Sequence, residues 1–269
     1  MAPILAAPQH PVPGMQGAFE ESMRETMTNT DDSTADNPYL DADKYKRRKL
    51  LLESAKYQRT VSGRWIQRKD EAFHPIWKLY SQITFGMHLL QMGLARSDAD
   101  VIQILQTHVD EIDGFLERST EDFELAQQDV EDRIKHLRTP LEHGDVFDTM
   151  LGDRDFRAAI VDGNEKIEHI LTRTTVAMKD SVKDIQKGLD GTKQLAHFLK
   201  DIDRKWPNKS EEHAAVFSAM MGNTEGWAEA YKSLQQKGSE LGLSLVQLEG
   251  IVSEIQRRAG VASRRNLVS

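Results

Sequence analysis

The chain has 269 residues, a formal net charge of −8 and no cysteine. That length holds one or two domains, and the missing thiols exclude disulfides, zinc–thiolate sites, iron–sulfur clusters and cysteine nucleophiles. Charged residues make up 29% of the chain and aromatics 7%, a balance that suits long helices better than a globular α/β core.

Residues 1–40 read as a disordered tail. Pro3, Pro8, Pro11, Pro13 and Pro38 interrupt them, a polar Thr/Asn/Asp/Ser tract follows, and nothing repeats with a structural period. Phe19, Met23 and Met27, four apart, allow a short transient helix. The first eight residues lack a basic start and are cut by prolines, which makes a poor signal peptide. No apolar run approaches the roughly 18 residues a membrane-spanning helix needs. A cytoplasmic, or else nuclear, protein is expected.

From residue 41 the chain turns helical and basic. Over 41–69 ten cations (Lys44, Lys46, Arg47, Arg48, Lys49, Lys56, Arg59, Arg64, Arg68 and Lys69) stand against Asp41, Asp43 and Glu53, a net of +7. Val61-Ser-Gly-Arg-Trp65 breaks the helix. Pro75 then sits in the first turn of a second helix, where its missing N–H costs nothing, and the broad apolar surface from Ile76 to Leu94 implies burial on more than one side.

Three long helices follow. Ser97 with Asp100 makes a capping-box-like start for a helix over about 98–138. Its seam is Val101, Leu105, His108, Ile112, Phe115 and Ser119, then Phe123, Ala126, Val130 and Leu137. Its outer face is acidic, with twelve Asp and Glu against four Arg and Lys. Thr139-Pro140 is expected to end it. A short helix near 145–151 leads to a second long one over 153–203, in which Gly188 and Gly191 suggest a bend. The third, over 211–259, repeats without a break through His213, Phe217, Met220, Thr224, Trp227, Tyr231, Leu234, Gly238, Leu241, Leu245, Leu248, Val252, Ile255 and Ala259. A period of about 3.5 residues means one face buried along its length against other helices. Short turns between long helices force them to alternate up, down, up.

The fold class is therefore all-α: an elongated antiparallel bundle of three long helices (98–138, 153–203, 211–259) plus two shorter N-terminal ones. Its outline resembles BAR-like or spectrin-like bundles in helix count and length. The domain plan is a tail over 1–40, a bundle over 41–259 and a short basic tail over 260–269.

Five stretches carry a further resemblance: Val61-Ser-Gly-Arg-Trp-Ile-Gln-Arg68, His74-Pro-Ile-Trp-Lys78, His108-Val-Asp-Glu-Ile-Asp-Gly-Phe-Leu-Glu-Arg118, Asn164-Glu-Lys-Ile-Glu-His169 and Arg257-Arg-Ala-Gly-Val-Ala-Ser-Arg-Arg265. They resemble an uncharacterised family of all-helical proteins from filamentous fungi, over most of 57–265. The resemblance implies a fungal, intracellular protein. It brings no established activity and no binding residues.

Few residues stand at spacings that carry catalytic or metal-binding chemistry. Carboxylate-bridged metal bundles need a Glu-x-x-His pair on each of two helices. The chain has one such spacing, Glu71 with His74, beside the single pairs Asp132 with His136 and Glu165 with His169. No nucleophile elbow, dinucleotide fingerprint or phosphate loop occurs. His108 and His213 fall on core seams and read as hydrogen-bonded or snorkelling core histidines, with pH-sensitive positions as the other reading. No catalytic residue, cofactor or metal is expected.

The basic segment is the candidate site: Lys44, Lys46, Arg47, Arg48, Lys49, Arg64, Trp65, Arg68 and Lys69. One reading packs it on the acidic helix and cancels its charge internally. Another offers it to anionic lipid, phosphate or nucleic acid, nucleic acid being the least favoured. A third makes Lys44 to Lys49 a nuclear-import signal. The leading functional expectation is a non-catalytic scaffold that works through its bundle surface and self-associates, with itself or another protein as partner. The alternative is a BAR-like peripheral membrane protein using 44–69, against which the negative net charge speaks.

Overall fold

A heptad seam needs partners on one face, and the structure supplies them from Met220 to Ala259, while His213 and Phe217 at its start are half-buried. A computed structural model describes residues 8–28, 42–60 and 65–268, which are almost wholly helical and contain no strand. The helices are α1 (Gln16–Thr28), α2 (Lys44–Glu53), α3 (Pro75–Met92), α4 (Asp98–Glu142), α5 (Gly144–Met150), α6 (Arg154–Lys205) and α7 (Glu211–Val268). This is an all-α, bundle-like fold.

Local chemistry starts these helices where the sequence indicates. Asp43 accepts the Lys46 N–H at 2.8 Å to open α2. Ser97 accepts from Asp100 at 3.2 Å for α4, Asp153 from Phe156 at 2.8 Å for α6, and Ser210 from His213 at 3.1 Å for α7. Each cap satisfies an orphan first-turn donor. α3 ends on Gly93 at φ 63°, a left-handed position that glycine adopts without steric cost.

Two compact units make up the chain. The first comprises Met1–Asp41, Val61–Ser119 and Lys183–Leu234, the second Ala42–Thr60, Thr120–Val182 and Gln235–Ser269. In the first, α3 is the central element, with Tyr80, Ile83 and Met87 all at 0% exposure. Tyr80 donates or accepts at Thr192 across 2.6 Å and lies 3.5 Å from the Tyr231 hydroxyl. Trp227 packs edge-on against Tyr80 and donates its indole N–H to Asp113 at 2.7 Å. Contacts of Asp98 with His213 and of Asp113 with Trp227 run α4 parallel to α7 here. Trp206 against His213, and Gly188 against Tyr231, run α6 antiparallel to both.

The second unit repeats this order. Glu124 pairs with Lys237 and Gln127 with Ser244, in the parallel sense. Gly238 sits on Val182, Gly242 on Met178, and Gln256 bonds Glu168, in the antiparallel sense. Phe147 and Leu151 of the α5 region close one end over Ile255 and Ala259.

Along α7 the seam is buried from Met220 through Thr224, Trp227, Tyr231, Leu234, Gly238, Leu241, Leu245, Leu248, Val252 and Ile255 to Ala259. Three expectations need correction. Residues 8–28 are not a disordered tail: they form a 3-10 turn and α1, with Met15, Ala18, Phe19 and Ser22 buried at helical spacing. Met23, on which the sequence reading rested, is only half-buried. The remaining tail residues lie outside the described set. The expected tail after 259 continues α7 to Val268. Finally, Thr139-Pro140 does not end α4, which runs to Glu142. The carbonyl Pro140 leaves without a donor belongs to His136, an exposed residue, so water replaces the lost bond and the cost falls.

Candidate interaction surface

The basic segment does not stay in one unit. Lys44, Lys46, Arg47, Arg48 and Lys49 belong to the second, Trp65, Arg68 and Lys69 to the first, and Arg64 lies outside the described residues. α2 turns Arg47 inward, leaving it 3% exposed. Its Nε donates to Asp122 at 2.9 Å, its Nη2 to Glu121 at 2.9 Å, and its Nη1 to the Ala42 carbonyl at 2.7 Å. Burial lowers the affinity of the guanidinium for its proton, but the two carboxylates outweigh it and raise the pKa. Arg48 donates to Asp129 at 2.6 Å, and Arg133 reaches the same carboxyl at 2.8 Å. Burial pushes Asp129 up; the hydrogen bonds and charges of Arg48 and Arg133 prevail and hold it below the ordinary value of 3.8.

For Arg47 and Arg48, then, the charge is cancelled on the acidic face of α4. Lys46 and Lys49 are exposed, with Lys49 3.8 Å from Glu53, and Lys44 lies over the Tyr45 ring. Trp65 is a core anchor, 5% exposed and edge-on to Phe115. Arg68 is bound to Glu71 at 2.8 Å, and Lys69 is exposed.

His74, His136, His169 and His213 have structural partners, whereas the buried Nδ1 of His108 makes no hydrogen bond. His74 Nδ1 accepts the Ile76 N–H at 3.2 Å and caps α3, which puts the ring proton on Nε2, 3.1 Å from Asp184. Its partner is thus a carboxylate on α6, while Glu71 serves Arg68. His136 bonds the Asp132 carbonyl at 2.6 Å and His169 the Leu52 carbonyl at 2.9 Å. Among the described residues no three metal-ligating side chains come together, and no helix is long and apolar enough to cross a membrane.

What the sequence reading missed is on the back of α7. Leu243 is 74% exposed and Val246 67%, on the face opposite the buried Leu241, Leu245 and Leu248. Gly250, one heptad after Leu243, is bare: a Cβ there would meet nothing within 4 Å. A large apolar knob and a hollow therefore share one helix face, both within the second unit. Beside them a groove of about 480 Å³ runs between α4 and α7, with Lys135 and Arg138 on one wall and Ser244 and Gln247 on the other. The signal was present in the sequence, as two apolar residues off an otherwise regular seam. Compared with family models, curated proteins and solved structures, the chain has no match.

Proposed function

We propose that this protein is a non-catalytic helical scaffold that self-associates through the outer face of α7. The observation that carries the reading is the pairing of Leu243 with Gly250 on one exposed face. A two-fold contact requires residue i to meet j while j meets i. If a second copy of α7 crosses antiparallel with its axis near Val246 and Gln247, Leu243 of each copy meets Gly250 of the other. In that register Ser239 faces Glu254, Glu240 faces Ser253 and Gln236 faces Arg257, and no like charges are opposed. Exposed apolar residues rimmed by polar ones are the ordinary mark of a protein contact.

Supporting this reading, the most deeply buried charged groups are spent on ties between helices: Arg47 to α4, Lys78 to α1, and Asp184 to His74. The setting that goes with the fungal family resemblance is intracellular, cytoplasmic or nuclear. A second reading, peripheral binding to anionic membrane, retains Lys44, Lys46 and Lys49 as contacts but loses Arg47 and Arg48 to the interior. The deciding experiment is sedimentation of the wild type beside Leu243→Asp/Val246→Asp, with flotation on anionic vesicles as the second arm. Self-association lost in the variant supports the scaffold; flotation of the wild type, lost on Lys46→Glu/Lys49→Glu, supports the membrane reading.

A further inference from the structure

The groove between α4 and α7 opens on the same side of α7 as Leu243, and its two cations are unpaired. α7 turns Ser244 and Lys237 toward α4, where they meet Gln127 at 2.9 Å and Glu124 at 3.0 Å. It turns Gly242 and Gln256 the other way, onto Met178 and Glu168 of α6. Leu243 lies between these two flanks and faces outward. Gln247, about 40° round from it at 3.6 residues per turn, is the rim shared by the exposed face and the groove. Lys135 and Arg138 stand on the α4 wall. Both are exposed, and among the described residues neither has a carboxylate within ion-pair distance. Glu131 and Glu142 stand four residues from them, a spacing that allows helical ion pairs, yet Glu131 takes the side chain of Gln127 instead. Glu240 of α7 is exposed and turned to the α4 flank, and its partner is the neutral Gln236, at 2.8 Å.

We propose that this groove is the second half of the contact between copies, and that its occupant is Glu240 of a second copy, held by Lys135 and Arg138. The inference rests on the self-association of α7 proposed above. In that antiparallel register Glu240 of one copy faces Ser253 of the other. The two-fold axis then runs across the helices in the contact plane, so the α4 flanks of both copies lie on one side. Neighbouring positions of α4 and α7 are separated by 113 to 117 residues in the chain, which sets Ser253 level with the turn of α4 that carries Arg138. Glu240 of the second copy therefore comes down over Lys135 and Arg138, whose long side chains lean toward the helix N-terminus. Symmetry makes the contact twice. Glu131 falls nearest the axis and meets its own copy, with Lys135 one turn away to offset it. A parallel second α7 would put the axis along the helices and carry Glu240 to the α6 flank, away from both cations. The charges thus select the antiparallel direction that Leu243 and Gly250 require, as flanking ion pairs do between packed helices.

The test is sedimentation equilibrium of the full chain with two charge reversals made separately, Lys135→Glu/Arg138→Glu and Glu240→Lys. All three positions are exposed, so each variant should keep its melting temperature, as surface substitutions do. Each variant alone should self-associate about tenfold more weakly than the wild type, because like charges then oppose in both grooves. The loss should shrink as salt screens it. An equimolar mixture of the two should regain the wild-type association, since each reversed groove then meets a reversed position 240. If both variants assemble as the wild type does while Leu243→Asp/Val246→Asp abolishes assembly, this inference is overturned and the α7 contact stands. Two weakened variants whose mixture is no stronger than either alone would overturn it as well. A wild type that never assembles would remove the α7 contact and this inference with it.

Discussion

Arg47 and Lys49 stand two positions apart on one basic helix and face opposite environments, so the segment cannot be treated as a uniform patch. Arg47→Met should cost about 1.5–3 kcal/mol, the range for hydrogen bonds to charged groups, because Glu121 and Asp122 lose a buried partner. Lys49→Glu should change stability by less than about 0.5 kcal/mol, as surface substitutions do. Urea melts of the two variants check the contrast, and equal losses would contradict it. Asp129 adds a pH dependence of known sign. Its carboxyl is held below its ordinary 3.8, so its contribution is complete above that value and is lost as pH falls through the lower, folded-state value. Arg48→Met should therefore lower the melting temperature at neutral pH, and the difference from wild type should shrink as pH drops below 3.8. At the centre of the first unit, Trp227 is 3% exposed, and Trp227→Ala should cost about 3–5 kcal/mol.

The glycines of α6 and α7 separate packing from propensity at the scale of whole helices. A Cβ on Gly188 would run into the Tyr231 ring, and one on Gly191 into the Tyr80 ring. Both rings are wholly buried. Gly188→Ala should destabilise by about 1–3 kcal/mol through overpacking, although alanine favours a helix by about 1 kcal/mol. Gly222 and Gly226 have open space around them, and alanine there should stabilise by about 0.4–1 kcal/mol. Thermal melts of the single variants will show whether the signs divide this way.

The elements differ in how readable they were. The α7 seam was legible because a strict heptad admits one buried face, and each seam residue from Met220 to Ala259 is buried. The cap at Ser97 was legible as a side chain that accepts a first-turn donor. α1 was not, because prolines and polar residues surround it and its helix depends on a distant Lys78 and Phe85. Gly188 and Gly191 suggested a bend, whereas their structural role is to seat two tyrosines contributed from elsewhere in the chain. In the basic segment the charge balance was legible, but which cations turn inward depends on the phase of α2 against α4.

At the scale of the whole molecule, what matters is the surface each unit leaves exposed once its internal ties are made. The second unit leaves Leu243, Val246 and the bare Gly250 on one face, and in the first the carboxylates of Glu21 and Glu25 tie α1 to the buried Lys78. Function, on this view, resides in contacts between helices, within a copy and between copies. The most direct test is sedimentation equilibrium of the full chain beside Gly250→Leu, at a position where an added Cβ would meet nothing within 4 Å. The account predicts a wild type that assembles with increasing concentration and a Gly250→Leu chain that stays monomeric with an undiminished melting temperature. A wild type that remains monomeric throughout, or a Gly250→Leu chain that assembles as readily, would contradict it.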